Sequence, residues 1–95
     1  MSNSSDEFYS KLKTKLQETS SWPSKYLFKF IIKSDPVKIS DIESIFNNMG
    51  SVITSTPSKK GTYTSVSIHV DMENPEAVIE KYKQVGQSVD DVISL

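Results

Sequence analysis

A pair of lysines beside a glycine could bind an anion. Residues 57–70 read PSKKGTYTSVSIHV, with Lys59, Lys60 and Gly61 ahead of an alternating run. A phosphate-binding loop needs G-x-x-x-x-G-K-S/T between a strand and a helix, so that backbone amides and a helix N-terminus converge on the anion. This segment has one glycine and lies between two predicted strands. The sequence therefore favours a solvated hairpin tip over a phosphate site.

The titratable side chains offer little for catalysis. His69 is the single histidine, and acid–base catalysis would require a partner within hydrogen-bond reach in a concave site. Asp71 is its same-face neighbour on a predicted strand, without an obvious nucleophile. Asp71 and Glu73 could share a cation, but no third ligand is evident. Asp90 and Asp91 would point to opposite faces of a strand. We predict no enzyme, no metal and no cofactor.

Length, charge and cysteine content limit the classes of function. The chain has 95 residues, with 11 basic and 12 acidic side chains and no cysteine. This length fits one domain, and the charge balance gives no overall positive field for nucleic acid or anionic lipid, although a local patch is compatible with it. Without cysteine there is no disulfide or thiolate, which fits a reducing interior. Signal-peptide and membrane-span patterns are lacking. We predict a cytoplasmic protein that binds no membrane.

An N-terminal extension, residues 1–21, precedes a predicted domain at residues 22–95. Its Ser-rich start predicts partial disorder, and Ser5 could cap a short amphipathic helix. The apolar stripe of that helix consists of Phe8, Leu12 and Leu16. A segment this short is marginal alone in water, so it must dock or fray. Pro23 ends it, because the residue before a proline is pushed out of the helical region.

Six segments of the predicted domain alternate between strand and helix patterns. The predicted strands are 26–33, 51–58, 62–72 and 89–95. One helix begins at Ser34 or Asp35 with Pro36, or at Ser40, where Glu43 gives capping-box spacing, and it stops at Gly50. The other begins at Asn74 with Pro75 and closes at Gly86. Alternation on the first strand turns Phe28, Phe30 and Ile32 inward. On the third it turns Thr64, Val66, Ile68, Val70 and Met72 inward.

The order β-α-β-β-α-β predicts a ferredoxin-like α+β sandwich of two layers. Right-handed crossovers place both helices on one face of a four-stranded antiparallel sheet with strand order 4-1-3-2. The aromatic and β-branched strand 26–33 belongs at the centre. The strand that contains Pro57 and the last, acidic strand belong at the edges. The opposite face of the sheet is then left open.

Three segments carry a resemblance to a known family: WPSKYLFKF, PSKKGTYTSVSI and the closing VISL. They resemble the uncharacterised bacterial YbeD-like family from about Lys13 to Leu95. The most specific part is the run Pro57, Ser58, Lys60, Gly61, Tyr63, Ser65, Val66 and Ser67. The resemblance implies a ferredoxin-like fold similar to ACT regulatory domains, which bind amino acids in metabolic enzymes. Those domains usually place a glycine in the first strand-to-helix turn, whereas this chain has KSDP.

The open sheet face is the candidate interaction surface. It consists of Lys29, Ile31, Tyr63, Ser65, Ser67 and His69, with Lys59 and Lys60 of the hairpin. Small side chains around one ring permit close approach by a second sheet, a peptide or the N-terminal helix. We predict a small non-enzymatic regulatory or protein-interaction module, a monomer or weak dimer. Its partner would be a protein or a small ligand such as an amino acid.

The alternative function is a nucleic-acid-binding module that uses the same face together with Lys59 and Lys60. RNA-recognition modules share this topology and stack bases on aromatic side chains of the open sheet. Their third-strand motif asks for aromatic residues after a basic residue and a glycine. Here Thr62, Thr64 and Ser67 occupy those positions. The neighbouring strand adds no aromatic ring to the face, only Leu27, Lys29, Ile31 and Lys33. The sequence therefore places nucleic acid second.

Overall fold

A computed structural model describes the backbone of residues 4–94 and the side chains of residues 7–94. In chain order the elements are α1 Ser4–Thr19, β1 Ser24–Lys33, α2 Pro36–Ile45, β2 Val52–Pro57, β3 Tyr63–Met72, α3 Pro75–Ser88 and β4 Ile93–Ser94. After α1 the order is the predicted β-α-β-β-α-β. The predicted disorder at the start, the cap at Ser5 and the strand position of Leu95 concern groups outside this description.

The four strands form one antiparallel sheet in the order β2-β3-β1-β4, which confirms the predicted order. β1 pairs with β3 along its whole length, from Ser24 opposite Met72 to Lys33 opposite Tyr63. β2 lies at one edge and ends at Pro57, which has no amide hydrogen to donate. β4 lies at the other edge and pairs with β1 through two residues. The aromatic and β-branched strand is central, as predicted.

One face of the sheet packs against α2 and α3. The strands contribute Phe28, Phe30, Ile32, Val66, Ile68, Val70 and Met72 to the core. The two helices contribute Ile42, Val78, Tyr82 and Val85, and the residue that caps the end of α2, Phe46, joins them. The predicted inward alternation of β1 and β3 is confirmed. Thr64 is also buried, and its hydroxyl lies 2.7 Å from that of Ser34, so this inward polar group is satisfied. The chain is therefore an α+β sandwich of the ferredoxin-like kind.

Phe28 occupies the centre of an aromatic cluster. Its ring centroid lies 4.7 Å from that of Tyr26, 4.9 Å from that of Phe46 and 5.1 Å from that of Tyr82. The hydroxyls of Tyr26 and Tyr82 lie 2.9 Å apart. Burial, together with this hydrogen bond, raises the pKa of Tyr82 well above its ordinary value. The pair gives the aromatic cluster one satisfied polar link.

Each domain helix starts on a side-chain cap followed by a proline. The Oδ1 atom of Asp35 accepts a hydrogen bond from the amide of Val37 at 2.9 Å, and Oδ1 of Asn74 accepts one from the amide of Ala77 at 2.8 Å. These bonds satisfy amides that have no partner within the helix. The starts predicted at Asp35 and Asn74 are confirmed. The alternative start at Ser40 is wrong, because α2 already begins at Pro36.

The predicted helix ends are wrong in detail. α2 ends at Ile45, ahead of Gly50, although Gly50 does adopt a positive φ of 67°. The Nζ atom of Lys81 donates to the carbonyl of Ile45 at 2.8 Å, so α3 satisfies the end of α2. Gly86 does not close α3, which continues to Ser88. In both helices the packing of neighbouring elements, rather than a glycine, sets the end.

The last strand is shorter than the predicted 89–95. Val89 is buried in the core, and its amide donates to the carbonyl of Val85 at 2.9 Å, so it caps α3. Asp91 has a φ of 56° in the turn that follows, a conformation that aspartate tolerates better than most residues. The prediction that Asp90 and Asp91 alternate along a strand is therefore wrong. Within the described part of this segment, it is Ile93–Ser94 that pairs with β1.

The N-terminal helix α1 packs beside α3. Leu16 is buried with the core cluster, and its carbonyl accepts a hydrogen bond from the indole of Trp22 at 3.0 Å. Lys13 lies 3.4 Å from the carboxylate of Glu76. The backbone amide of Glu76 and the neighbouring Lys13 lower the pKa of this carboxyl. The helix forms as predicted, but the idea that it covers the open sheet face is wrong.

Candidate interaction surface

The strand register aligns the outward side chains in rows across the sheet. The rows are Val52–His69–Leu27, Thr54–Ser67–Lys29 and Thr56–Ser65–Ile31–Ile93, with the pairs Tyr63–Lys33 and Asp71–Lys25 at the two ends. We call these residues the open face. The six predicted strand residues from Lys29 to His69 all belong to it. Lys59 and Lys60 lie beyond it, at the hairpin between β2 and β3.

The open face exposes apolar side chains. Leu27 is 47%, Val52 63%, Tyr63 44% and Ile93 52% exposed. The described helices therefore leave this side of the sheet to solvent. The sequence-based surface omitted Leu27, Val52 and Ile93. Alternation along β1 already placed Leu27 two residues before Lys29, but placing Val52 and Ile93 required the register between strands.

The middle of the open face has a shallow depression, because two of its side chains are serines. Ser65 and Ser67 on β3 are half-buried, and their partners on β1 are Ile31 and Lys29, which carry longer side chains. The longer neighbours stand above the serines on one side. A partner that lies along β3 can therefore bring its backbone or a small side chain close to the sheet.

One end of the open face is concave. A cavity of about 310 Å³ lies there, lined chiefly by Lys25, Leu27, Val52, His69 and Asp71. Leu27 and Val52 form apolar walls on either side of His69, which is their common neighbour in the register. Lys25 and Asp71 place opposite charges at its margin. A ligand group that fits here is apolar in its body and polar at its edge.

The comparison with known proteins identifies a family. Residues 17–93 match the family described as "Protein of unknown function (DUF493)". The chain belongs to this family. The DUF493 match confirms the resemblance to an uncharacterised family, and the YbeD-like description is consistent with it. The match spans β1, α2, β2, β3 and α3 and reaches the first residue of β4, while most of α1 precedes it. A search of curated proteins found no match.

The hairpin of this DUF493 chain is a tight turn rather than a phosphate cradle. Gly61 has a φ of 74°, and its amide donates to the carbonyl of Ser58 at 2.9 Å. The amide of Tyr63 donates to the hydroxyl of Ser58 at 3.2 Å. These amides serve the turn itself, so they do not converge on a common point for an anion. Lys59 and Lys60 remain exposed at the tip and offer charge alone.

The titratable groups of the open face are solvent-facing. His69 and Asp71 are both exposed, and alternate residues of a strand lie about 6.8 Å apart. Within the described residues, no group of three or more His, Asp or Glu side chains is arranged to hold a metal ion. Nor does any helix in that part of the chain have the length and apolar character needed to cross a membrane.

Proposed function

We propose that this DUF493 protein is a small non-enzymatic regulatory or protein-interaction module of the cytoplasm, and that it binds its partner on the open face. The exposed apolar set on that face supports the proposal. It consists of Leu27, Val52, Tyr63 and Ile93. Apolar side chains gathered on one side of a small domain, with polar residues around them, are typical of a binding surface.

The chemistry at the concave end favours binding over catalysis. Lys25, His69 and Asp71 stand on a solvent-facing sheet between two apolar walls. General acid–base catalysis depends on a hydrogen-bonded partner and a site that excludes water. A binding surface needs only apolar area and a few polar groups that fix orientation. The open face meets the second requirement.

Val52→Asp is expected to abolish the capture of protein partners. The substitution puts a carboxylate in place of one apolar wall of the concavity, and a bound partner would have to remove that carboxylate from water. Recovery of open-face partners from a cell extract should fall about tenfold or more, because a loss of only about 1.4 kcal/mol in binding free energy weakens the affinity tenfold. Quantitative affinity capture with mass spectrometry measures it, after circular dichroism has shown that the variant folds.

Val37→Asp is the matched control for that experiment. Val37 is 66% exposed on α2, against 63% for Val52, and it lies away from the open face. Both substitutions add one carboxylate at an exposed valine. Partners that depend on the open face should survive Val37→Asp. Partners that are captured equally by both variants would contradict the proposal.

A sharper form of the proposal is ACT-like binding of an amino acid. In this chain the first strand-to-helix turn has no glycine, and Asp35 already accepts a hydrogen bond from the amide of Val37. The concavity on the open face is the better place for such a ligand. Lys25 and Asp71 match the carboxylate and ammonium of a zwitterion, and Leu27 with Val52 would contact its side chain.

Thermal unfolding in the presence of single amino acids tests this form. A ligand present at about 100 times its dissociation constant adds roughly 2.7 kcal/mol to the free energy of unfolding. For a domain of this size that corresponds to a rise in Tm of about 10 °C or more. We expect one amino acid, or a few related ones, to give such a rise, and Lys25→Gln to remove it. A Tm indifferent to every standard amino acid at millimolar concentration would leave only the protein-interaction form.

A further inference from the structure

The outward side of β1 alternates charge with apolar area. Lys25, Leu27, Lys29, Ile31 and Lys33 follow one another on the open face. Successive members stand about 6.8 Å apart, because alternate residues share a face of a strand. The central strand therefore presents three ammonium groups with an aliphatic side chain between each pair.

Positive charge is concentrated on this side of the molecule. Asp71, opposite Lys25, is the acidic residue that the described strands place on the open face, and Asp91 of the turn before β4 lies beside Lys33 and Tyr63 at its other end. β2 contributes no charge, since it reads VITSTP. Lys59 and Lys60 add to the positive side at the hairpin tip. The whole chain has a formal net charge of −1, so the open face has the opposite sign to the molecule as a whole.

We propose that the open face binds an acidic amphipathic polypeptide segment. The segment lies along β1 and β3 over Ser65 and Ser67, with an apolar side chain in the concavity between Leu27 and Val52. Its carboxylates face the lysines of β1, since complementary charge steers and orients docking. Its apolar side chains cover the aliphatic groups between those lysines. The inference rests on the proposed function and names the chemistry of the partner.

Charge disfavours a second copy of the chain as the occupant. Two copies that dock face to face would place two lysine-rich surfaces against each other, and like charges in an interface cost affinity. Nucleic acid fits less well for a different reason. Tyr63 is the aromatic residue that the described strands turn outward, and single strands bind mainly by stacking on several rings. A phosphate backbone would also make no favourable apolar contact with Leu27, Ile31 and Val52.

Selection from a random-peptide display library tests the inference on the full chain. Clones selected on the wild type are sorted into those that lose binding to Val52→Asp but keep binding to Val37→Asp. These clones are expected to carry more Asp and Glu than Lys and Arg, together with apolar residues. Lys29→Glu should weaken the binding of these clones about tenfold, and Lys29→Gln should weaken it by less. Lys11→Glu on α1 should leave their binding unchanged. Raising the ionic strength from about 0.1 M to about 1 M shortens the Debye length from about 10 Å to about 3 Å and should also weaken them.

The outcomes separate the inference from the proposed function. Clones that depend on Val52 but are neutral or basic, or are insensitive to Lys29→Glu, overturn the acidic partner and leave the interaction module standing. A library in which no clone depends on Val52 overturns both. Binding of a mixed single-stranded oligonucleotide pool that requires Lys29, without acidic clones, assigns the face to nucleic acid. Self-association that Val52→Asp abolishes, measured by sedimentation, assigns it to a second copy.

Discussion

Phe28→Ala is expected to remove a large part of the free energy of unfolding. Phe28 is fully buried, and three aromatic rings lie within 5.1 Å of its ring. Truncating a buried phenylalanine typically costs about 3–5 kcal/mol. A chain of this length has a total stability of roughly 5–14 kcal/mol, at about 0.05–0.15 kcal/mol per residue. Urea unfolding followed by circular dichroism measures the loss as a fall in midpoint.

Leu27→Ala is the control, since Leu27 is the adjacent residue on the same strand. Its side chain is 47% exposed on the open face, so its truncation should cost less than about 1 kcal/mol. The two variants remove large apolar side chains from neighbouring positions on opposite faces of β1. Comparable losses in both would mean that the two faces of the sheet are wrongly assigned.

The faces of the sheet could be predicted because they depend on a local repeat. Val66, Ile68 and Val70 alternate with Ser65, Ser67 and His69, and a period of two fixes which side of the strand each residue takes. One large apolar set then determines the buried face. The same rule placed Lys29 and Tyr63 on the open face. Both side chains are exposed there.

The ends of the two domain helices and the extent of the last strand could not be predicted, because tertiary packing decides them. Gly50 and Gly86 carry the residue type that stops helices. Yet α2 ends where Lys81 reaches the carbonyl of Ile45, 36 positions away. The strand pattern at Val89 is equally misleading, since the amide of this residue caps α3 and its apolar side chain is buried in the core. Local propensity has no access to the contact with Lys81 or to the burial of Val89 in the core.

The candidate surface was incomplete for a similar reason. Val52 and Ile53 are both apolar, and the sequence VITSTP alone does not determine which of them faces the core. Pairing with β3 decides it, because Val52 lies opposite His69 and Ile53 opposite Ile68. Ile93 joins the open face only through its pairing with Ile31. The register between strands is a tertiary property, so the most exposed apolar residue of the site escaped the sequence pattern.

Leu16→Asp is expected to unfold α1 and leave the sheet domain folded. Isolated helices up to about 15 residues are marginal in water even when they are rich in alanine, and α1, with 16 residues, has none. Leu16 anchors it to the core cluster, and an aspartate there would bury a charge without a partner. Of the 40 helical residues in the described part of the chain, α1 supplies 16, α2 ten and α3 fourteen. Far-UV circular dichroism should lose up to about two-fifths of its helical signal.

Amide hydrogen exchange distinguishes local undocking from global unfolding in this variant. β1 and β3 should keep their protection, because every buried residue of the core cluster except Leu16 comes from the chain after α1. Thr14→Asp adds the same charge at an exposed position of the same helix, so it should leave α1 docked. The DUF493 match begins at residue 17, which places the anchor just before the matched segment. Protection lost from β1 and β3 together with α1 would make the helix an integral part of the domain.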